Sequence, residues 1–424
     1  MTEQLLHFIW QFQYFNQRHL ETHSGVALRI IRPGVHNSNQ GPDFLDAAIC
    51  LDRVTLVGSI ELHCDSADWH RHRHSDDRNY NNVILHVVWK QGMENELPFV
   101  PVLVLQDRVA GMLLKQYEKW MGTPVFIACA PAASSVPALT WLAWKDRMLA
   151  ERLHRKSAYV LQLFRENKGH WETTCWQMMA RGFGMAINGE LFEQVARSLP
   201  LTILARHRRQ VILLEALLLG QAGMLETDFE DPYPRLLQRE YRFLRHKYTL
   251  VPPPGKLHFL RMRPAGFPTI RLAQLAMLVH QTSHLFSCLK ACVRMDDLVQ
   301  LFKIVPNDYW HYHYRPGDAP LYSIKQVGQA MIDHLIVNAV VPLLFACGDY
   351  QQDPLLKERA LLWLEQCKAE KNAVARSWQQ IGVQLVSAQD SQALLELKQH
   401  YCDQKRCLQC AIGNFLLKEA GTAG

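Results

Sequence analysis

Residues 41–88 read GPDFLDAAICLDRVTLVGSIELHCDSADWHRHRHSDDRNYNNVILHVV, and the period of their apolar residues decides the fold of the N-terminal region. The runs DAAICL, VTLVGSIEL and NVILHVV are short, rich in β-branched residues and separated by Gly, Pro, Asn and Asp, the signature of strands joined by turns. Working outward, LRII before the stretch and PVLVLQ after it continue the pattern, so a sheet is predicted over residues 28–104. In its last long strand Val83, Leu85, Val87 and Trp89 share one face and Ile84, His86 and Val88 the other, which sets His86 on one side of a buried strand. Upstream, residues 3–20 are aromatic-rich. There Leu5, Leu6, Ile9, Phe12 and Phe15 approximate one helical face, predicting an N-terminal helix packed on the sheet.

Downstream, the Pro-, Ala- and Ser-rich stretch TPVFIACAPAASSVPALT at 123–140 marks a boundary. Beyond it apolar residues recur every three or four positions in WLAWKDRMLAERLHRKSAYVLQLFRE, RQVILLEALLLGQAG and RLLQREYRFLRHKY, with charged residues opposite. No repeat of fixed period appears, which argues against a solenoid. The prediction is an α+β chain: an N-terminal mixed β-sheet domain with a flanking helix over 1–130, then a larger irregular all-α domain over 131–424 that carries a C-terminal cysteine cluster.

The chain has 424 residues, 48% of them hydrophobic, enough for more than one packed core. Residues 1–10 lack the basic, apolar and small-residue order of a secretory leader, and the longest apolar run, 335–346, is interrupted by Asn338 and Pro342. A soluble cytoplasmic protein with no membrane partner is expected. Eleven cysteines, an odd number, argue for reduced thiols over a disulfide framework. Charge is unevenly spread. Residues 1–130 carry 11 Lys and Arg against 14 Asp and Glu, and the remainder 35 against 26, a net of −3 followed by +9. A basic region behind an acidic site suits a polyanionic partner, DNA or RNA, although a merely solvated helical domain has the same balance.

The chemistry concentrates in the opening stretch. Alternation along VTLVGSIELH places Glu61 and His63 on the same strand face, and a neighbouring strand that begins at Gly41-Pro42-Asp43 can bring Asp43 beside them. Two carboxylates and a nitrogen base then converge. Carboxylate oxygens suit Mg²⁺ or Mn²⁺, which can polarise a phosphodiester and activate water. The bland alternative is a turn at Pro42-Asp43 and a paired, exposed Glu61.

Pro42-Asp43 followed by Glu61-Leu62-His63 resembles the motif of the PD-(D/E)xK nuclease superfamily. That resemblance implies a metal-ligand role for Asp43 and Glu61, with His63 standing where the superfamily has a lysine; an imidazole can orient or deprotonate water but carries no permanent charge. In that superfamily a helical acidic residue often assists, and Glu3 and Glu21 are the two candidates. The runs LLHFIWQFQYFN, RPGVHNSNQGPDF, GSIELHCDSADWHRH, EALLLGQAG and CLQCAIGNFLLK also resemble an uncharacterised bacterial domain-of-unknown-function family over nearly the whole chain. That second likeness implies no activity.

Three further groups complete the candidates. His70, His72 and His74 alternate, so an extended conformation would align them as metal ligands, and the interleaved Arg71 and Arg73 could instead contact phosphate. Arg261, Arg263 and Arg271 surround the start of a helix, where they could hold nucleic-acid phosphate or pair internally with acids such as Glu215. Cys402, Cys407 and Cys410 are compatible with Zn²⁺ or an iron–sulfur cluster, given a fourth ligand from Cys347, Cys367 or His400. No phosphate-binding loop, dinucleotide fingerprint or nucleophile elbow is present. The function read from the residues is a metal-dependent phosphodiesterase or nuclease; the alternative is a non-catalytic nucleic-acid-binding or scaffold protein.

Overall fold

The computed structural model describes residues 1–37, 40–72, 77–92, 100–122, 126–259, 263–318 and 322–422. It is an α+β chain: a six-stranded mixed sheet near the N-terminus, then a larger helical region. By its internal contacts the chain forms two units, one of residues 1–145, 377–383 and 396–424, the other of residues 146–376 and 384–395. The division therefore differs from a cut at residue 130: the C-terminal cysteine segment belongs with the sheet and not with the helices.

The sheet unit opens with helix α1 (Glu3–Gln11), capped where the Thr2 hydroxyl accepts from the Leu5 N–H at 3.3 Å. The helix ends earlier than residue 20. Its buried residues are Leu5, Leu6, Phe8, Ile9 and Trp10, while Phe12 is exposed and Phe15 is buried beyond the helix. Strands β1 (Leu28–Arg32), β2 (Val35–His36), β3 (Phe44–Leu51), β4 (Val54–Asp65), β5 (Val83–Lys90) and β6 (Val102–Val104) follow. Their order is β1-β3-β4-β5-β6 with β2 also on β3; pairings within β1–β4 are antiparallel, and β4–β5 and β5–β6 are parallel.

This topology explains the burial. Strand β5 lies between two parallel neighbours, and Leu85, His86, Val87 and Val88 are all buried, as expected of a strand covered on both faces. The parallel β4–β5 pair needs a crossover, and residues 66–82 supply it, with the short helix α2 (Asp68–Arg71) inside. Gly58 is required where that crossover returns, because a Cβ there would overlap the Asn82 carbonyl oxygen. Helix α3 (Gly111–Gly122) follows the sheet, and the sequential part of the unit continues to residue 145.

In the other unit the long helices include Trp171–Ser198, Val211–Gln221, Pro232–Tyr248 and Pro268–Gln281, close to the periodic runs. The apolar run at 335–346 lies within a continuous helical stretch, Gln329–Gln351, of 23 residues. Pro342 does not break it because a π-helical turn, Ile336–Val340, precedes the proline and absorbs its missing N–H. By length and composition this helix could cross a membrane, but most of it is buried inside its own unit.

Candidate functional site

The site is built where the start of β3 meets the middle of β4 under α1. A register shift between Phe44 and Ala47, with Asp46 at φ +55°, bulges the first turn of β3 and re-aims the residue before it. Asp43 is thereby locked onto β4 from both sides. Its backbone N–H donates to Glu61 Oε2 at 3.1 Å, and its Oδ2 accepts from the Leu62 N–H at 2.9 Å. The two carboxylates thus occupy one face at one end of the β3–β4 pair, as the alternation predicts.

Helix α1 adds two groups one turn apart, Glu3 and His7. His7 Nε2 lies 3.2 Å from Asp43 Oδ2, and its ring faces that of His36 on β2 at 5.5 Å between centroids. Burial and the neighbouring His7 lower the pKa of His36. Glu61 is nearly inaccessible, at 5% exposure. Burial first, then the negative charges of Asp43 and Glu3, push its carboxyl up to about 8, against which the Asp43 N–H acts in the opposite direction. Tyr80 senses the same field: burial and then the charges of Glu61 and Asp43 raise its hydroxyl to about 12.

Beside the carboxylates runs a chain of imidazoles. His63 is buried, with Nε2 3.6 Å from Glu61 Oε1 and 3.2 Å from His72 Nδ1, and with Nδ1 2.8 Å from His86 Nε2. His86 sits directly opposite Glu61 in the parallel register of β4 and β5. Both ring nitrogens of His63 are therefore engaged within the site. Trp69 packs edge-on against His63 and tilted against His86, closing this side of the site.

Other residues expected at a site fall elsewhere. His70 and His72 do not share a strand face, because residues 68–71 form a helical turn, and only His72 reaches His63. His70 is exposed, while Arg73, His74 and Arg261 lie outside the described residues. Arg71 is tied to Asp68 at 2.6 Å. Arg271 is no surface cation: burial lowers its pKa to about 10, and it donates to Gln274 Oε1 at 2.8 Å. Arg263 is exposed. Glu215 takes the Tyr233 hydroxyl as its partner at 2.7 Å.

Sequence reasoning missed His7 and His36, each carried on an element too short or too aromatic to draw notice. The only signal for His7 was its spacing of four from Glu3. Among the described residues, no three or more His, Cys, Asp and Glu side chains already stand arranged around one ion position. The carboxylates of Asp43 and Glu61 are hard oxygen donors, the type that Mg²⁺ or Mn²⁺ favours. A family model described as a protein of unknown function, DUF2851, matches residues 3–373. Neither the curated proteins nor the solved structures contain a match to the chain.

Proposed function

We propose that this chain, which belongs to the DUF2851 family of proteins of unknown function, is a divalent-metal-dependent phosphodiesterase that acts on nucleic acid. One observation carries the reading: Asp43 and Glu61 interlock on one sheet face, where burial first, and then repulsion from the negative charges of Asp43 and Glu3, raise the pKa of Glu61 to about 8. A hard dication in place of the Glu61 proton turns the repulsion into attraction. Bound there, Mg²⁺ or Mn²⁺ supplies Lewis acidity toward a phosphodiester oxygen and toward an attacking water.

The chain's own residues do the rest. Asp43 and Glu61 would hold the cation, and the hydrogen bonds from the Asp43 and Leu62 N–H groups to the two carboxylates keep their separation constant. His63, held by His72 and His86, is a positioning residue for Glu61. Nucleic acid is supported as substrate by the net +9 of residues 131–424 and by the exposed Arg263. Arg71 and Arg271, engaged in internal contacts, add little to it.

The test uses full-length protein stripped with chelator and given Mg²⁺ or Mn²⁺ with linear DNA, circular DNA or single-stranded RNA. Wild type is expected to cleave at least one of them. Glu61→Ala and Asp43→Asn should lose on the order of 10²-fold or more in rate, with an unchanged circular dichroism spectrum. Cleavage retained in Glu61→Ala sinks the assignment. Salt-dependent binding without cleavage by any form points instead to a non-catalytic nucleic-acid-binding protein.

A further inference from the structure

The three C-terminal cysteines belong to a group of four. Cys402, Cys407 and Cys410 line a small cavity together with Cys129, which stands 273 positions before the first of them. Cys347 and Cys367 fall in the helical unit, and His400 is turned toward Glu396 at 3.9 Å, so none of the three residues named by sequence as a fourth ligand lines the cavity. All four thiols are free of disulfides. Each is pushed upward in pKa, by burial first and then, for Cys129, Cys402 and Cys410, by other cysteines of the group: Cys129 to about 12, Cys410 to about 11.

The local backbone is shaped around sulfur. Residues 407–409 form a 3₁₀ turn closed by the Cys410 N–H on the Cys407 carbonyl at 3.2 Å. Cys410 then stands immediately before the helix Ala411–Thr422, where the backbone of Ile412 and Gly413 acts against the rise that burial causes in its pKa. Gly413 is the residue that permits this closeness, because a Cβ there would overlap the Cys407 carbonyl oxygen. Cys129 arrives on a similar tight turn, with the Ala130 N–H on the Ile127 carbonyl at 3.2 Å and the Ala132 N–H on that of Cys129 at 3.0 Å. Two cations lie near: Lys398 acts on Cys402 and Lys405 on Cys407, each against the dominant rise from burial.

We propose that Cys129, Cys402, Cys407 and Cys410 form a tetrathiolate metal centre that fastens the C-terminal segment onto the sheet unit. The thiols line one cavity without yet standing at coordination distances, so ligation requires their side chains to close inward. Four thiolates carry two negative charges more than a dication; Lys405 offsets part of that excess, and Lys398, paired with Asp403, adds less. The cavity, about 20 Å³, has room for a single ion such as Zn²⁺ on which the thiols close; an iron–sulfur cluster, which takes the same four ligands, requires the sulfurs to move apart.

The test is elemental. Full-length protein is produced with zinc and iron both supplied, then purified without oxygen, chelator or a metal-affinity column. Either one zinc per chain, or iron with a matching amount of acid-labile sulfide and visible absorption, supports the centre and names its metal. Cys129→Ser and Cys407→Ser should each abolish that content, while Cys50→Ser, at a thiol outside the group, keeps it. If the variants fail to fold, X-ray absorption on wild type still decides. An all-sulfur shell, at about 2.3 Å for zinc, is the expected result. Absence of both metals, a shell of oxygen and nitrogen, or metal retained in folded Cys129→Ser overturns the proposal.

Discussion

Glu215 shows how one buried carboxyl sets a pH response. It is inaccessible on the helix Val211–Gln221, where the Tyr233 hydroxyl donates to it at 2.7 Å and the Trp310 indole lies beside it. Burial is the main cause that raises its pKa from 4.5 to about 7. The folded chain then keeps a proton that the unfolded chain releases, so this contribution is complete below pH 4.5 and is lost as pH rises through 7. The loss is on the order of 3 kcal/mol, and Glu215→Gln, neutral at every pH, should not suffer it. Denaturant unfolding of both proteins at pH 4.5, 6 and 8 is expected to show the variant gaining relative to wild type across that interval. Parallel curves would mean that Glu215 ionises inside the fold.

At the scale of elements, close approach makes single glycines decisive. On Val211–Gln221, Gly220 faces Tyr241 of the helix Pro232–Tyr248, and a Cβ would overlap its ring. Gly220→Ala should therefore cost about 1–3 kcal/mol, despite alanine's better helix propensity, through overpacking. The additional change Tyr241→Leu should recover part of the loss in a thermal melt; a Gly220→Ala chain as stable as wild type would refute the contact. Elements of this kind were legible in the sequence where a local pattern held: strands β1 and β3–β6 coincide with the short apolar runs bounded by turn residues, and Val211–Gln221 and Pro232–Tyr248 follow the three- and four-residue spacing. The pairing of Asp43 with Glu61 was legible too, since both lie on adjacent strands. What could not be read were events that break a period. The bulge at Asp46, the π-helical turn before Pro342 and the helical turn at 68–71 each depend on tertiary contacts, and the last undid the alignment of His70 with His72.

At the scale of the whole molecule, the chain returns to its beginning. Asn414 accepts a hydrogen bond from the Tyr14 hydroxyl at 2.7 Å across 400 positions, and the helix Ala411–Thr422 packs on α3, with a Cβ on Gly421 coming within 3.5 Å of Leu113. No local pattern announces such a return, which is why a boundary placed by composition assigned residues 396–424 to the helices. Ile412, Leu416 and Leu417 are buried in this contact region, and burial of each large apolar side chain stabilises by about 1.5–3 kcal/mol. Deletion of residues 396–424 should therefore loosen the sheet unit selectively. Hydrogen exchange is expected to accelerate in residues 3–11 and 111–122, whose apolar faces lose their cover, while Val211–Gln221 and Pro268–Gln281 keep their protection because their contacts lie within the other unit. Equal loss of protection in both sets would mean that the chain unfolds as one cooperative body, and unchanged protection in 3–11 and 111–122 would mean that the C-terminal segment only decorates the sheet unit.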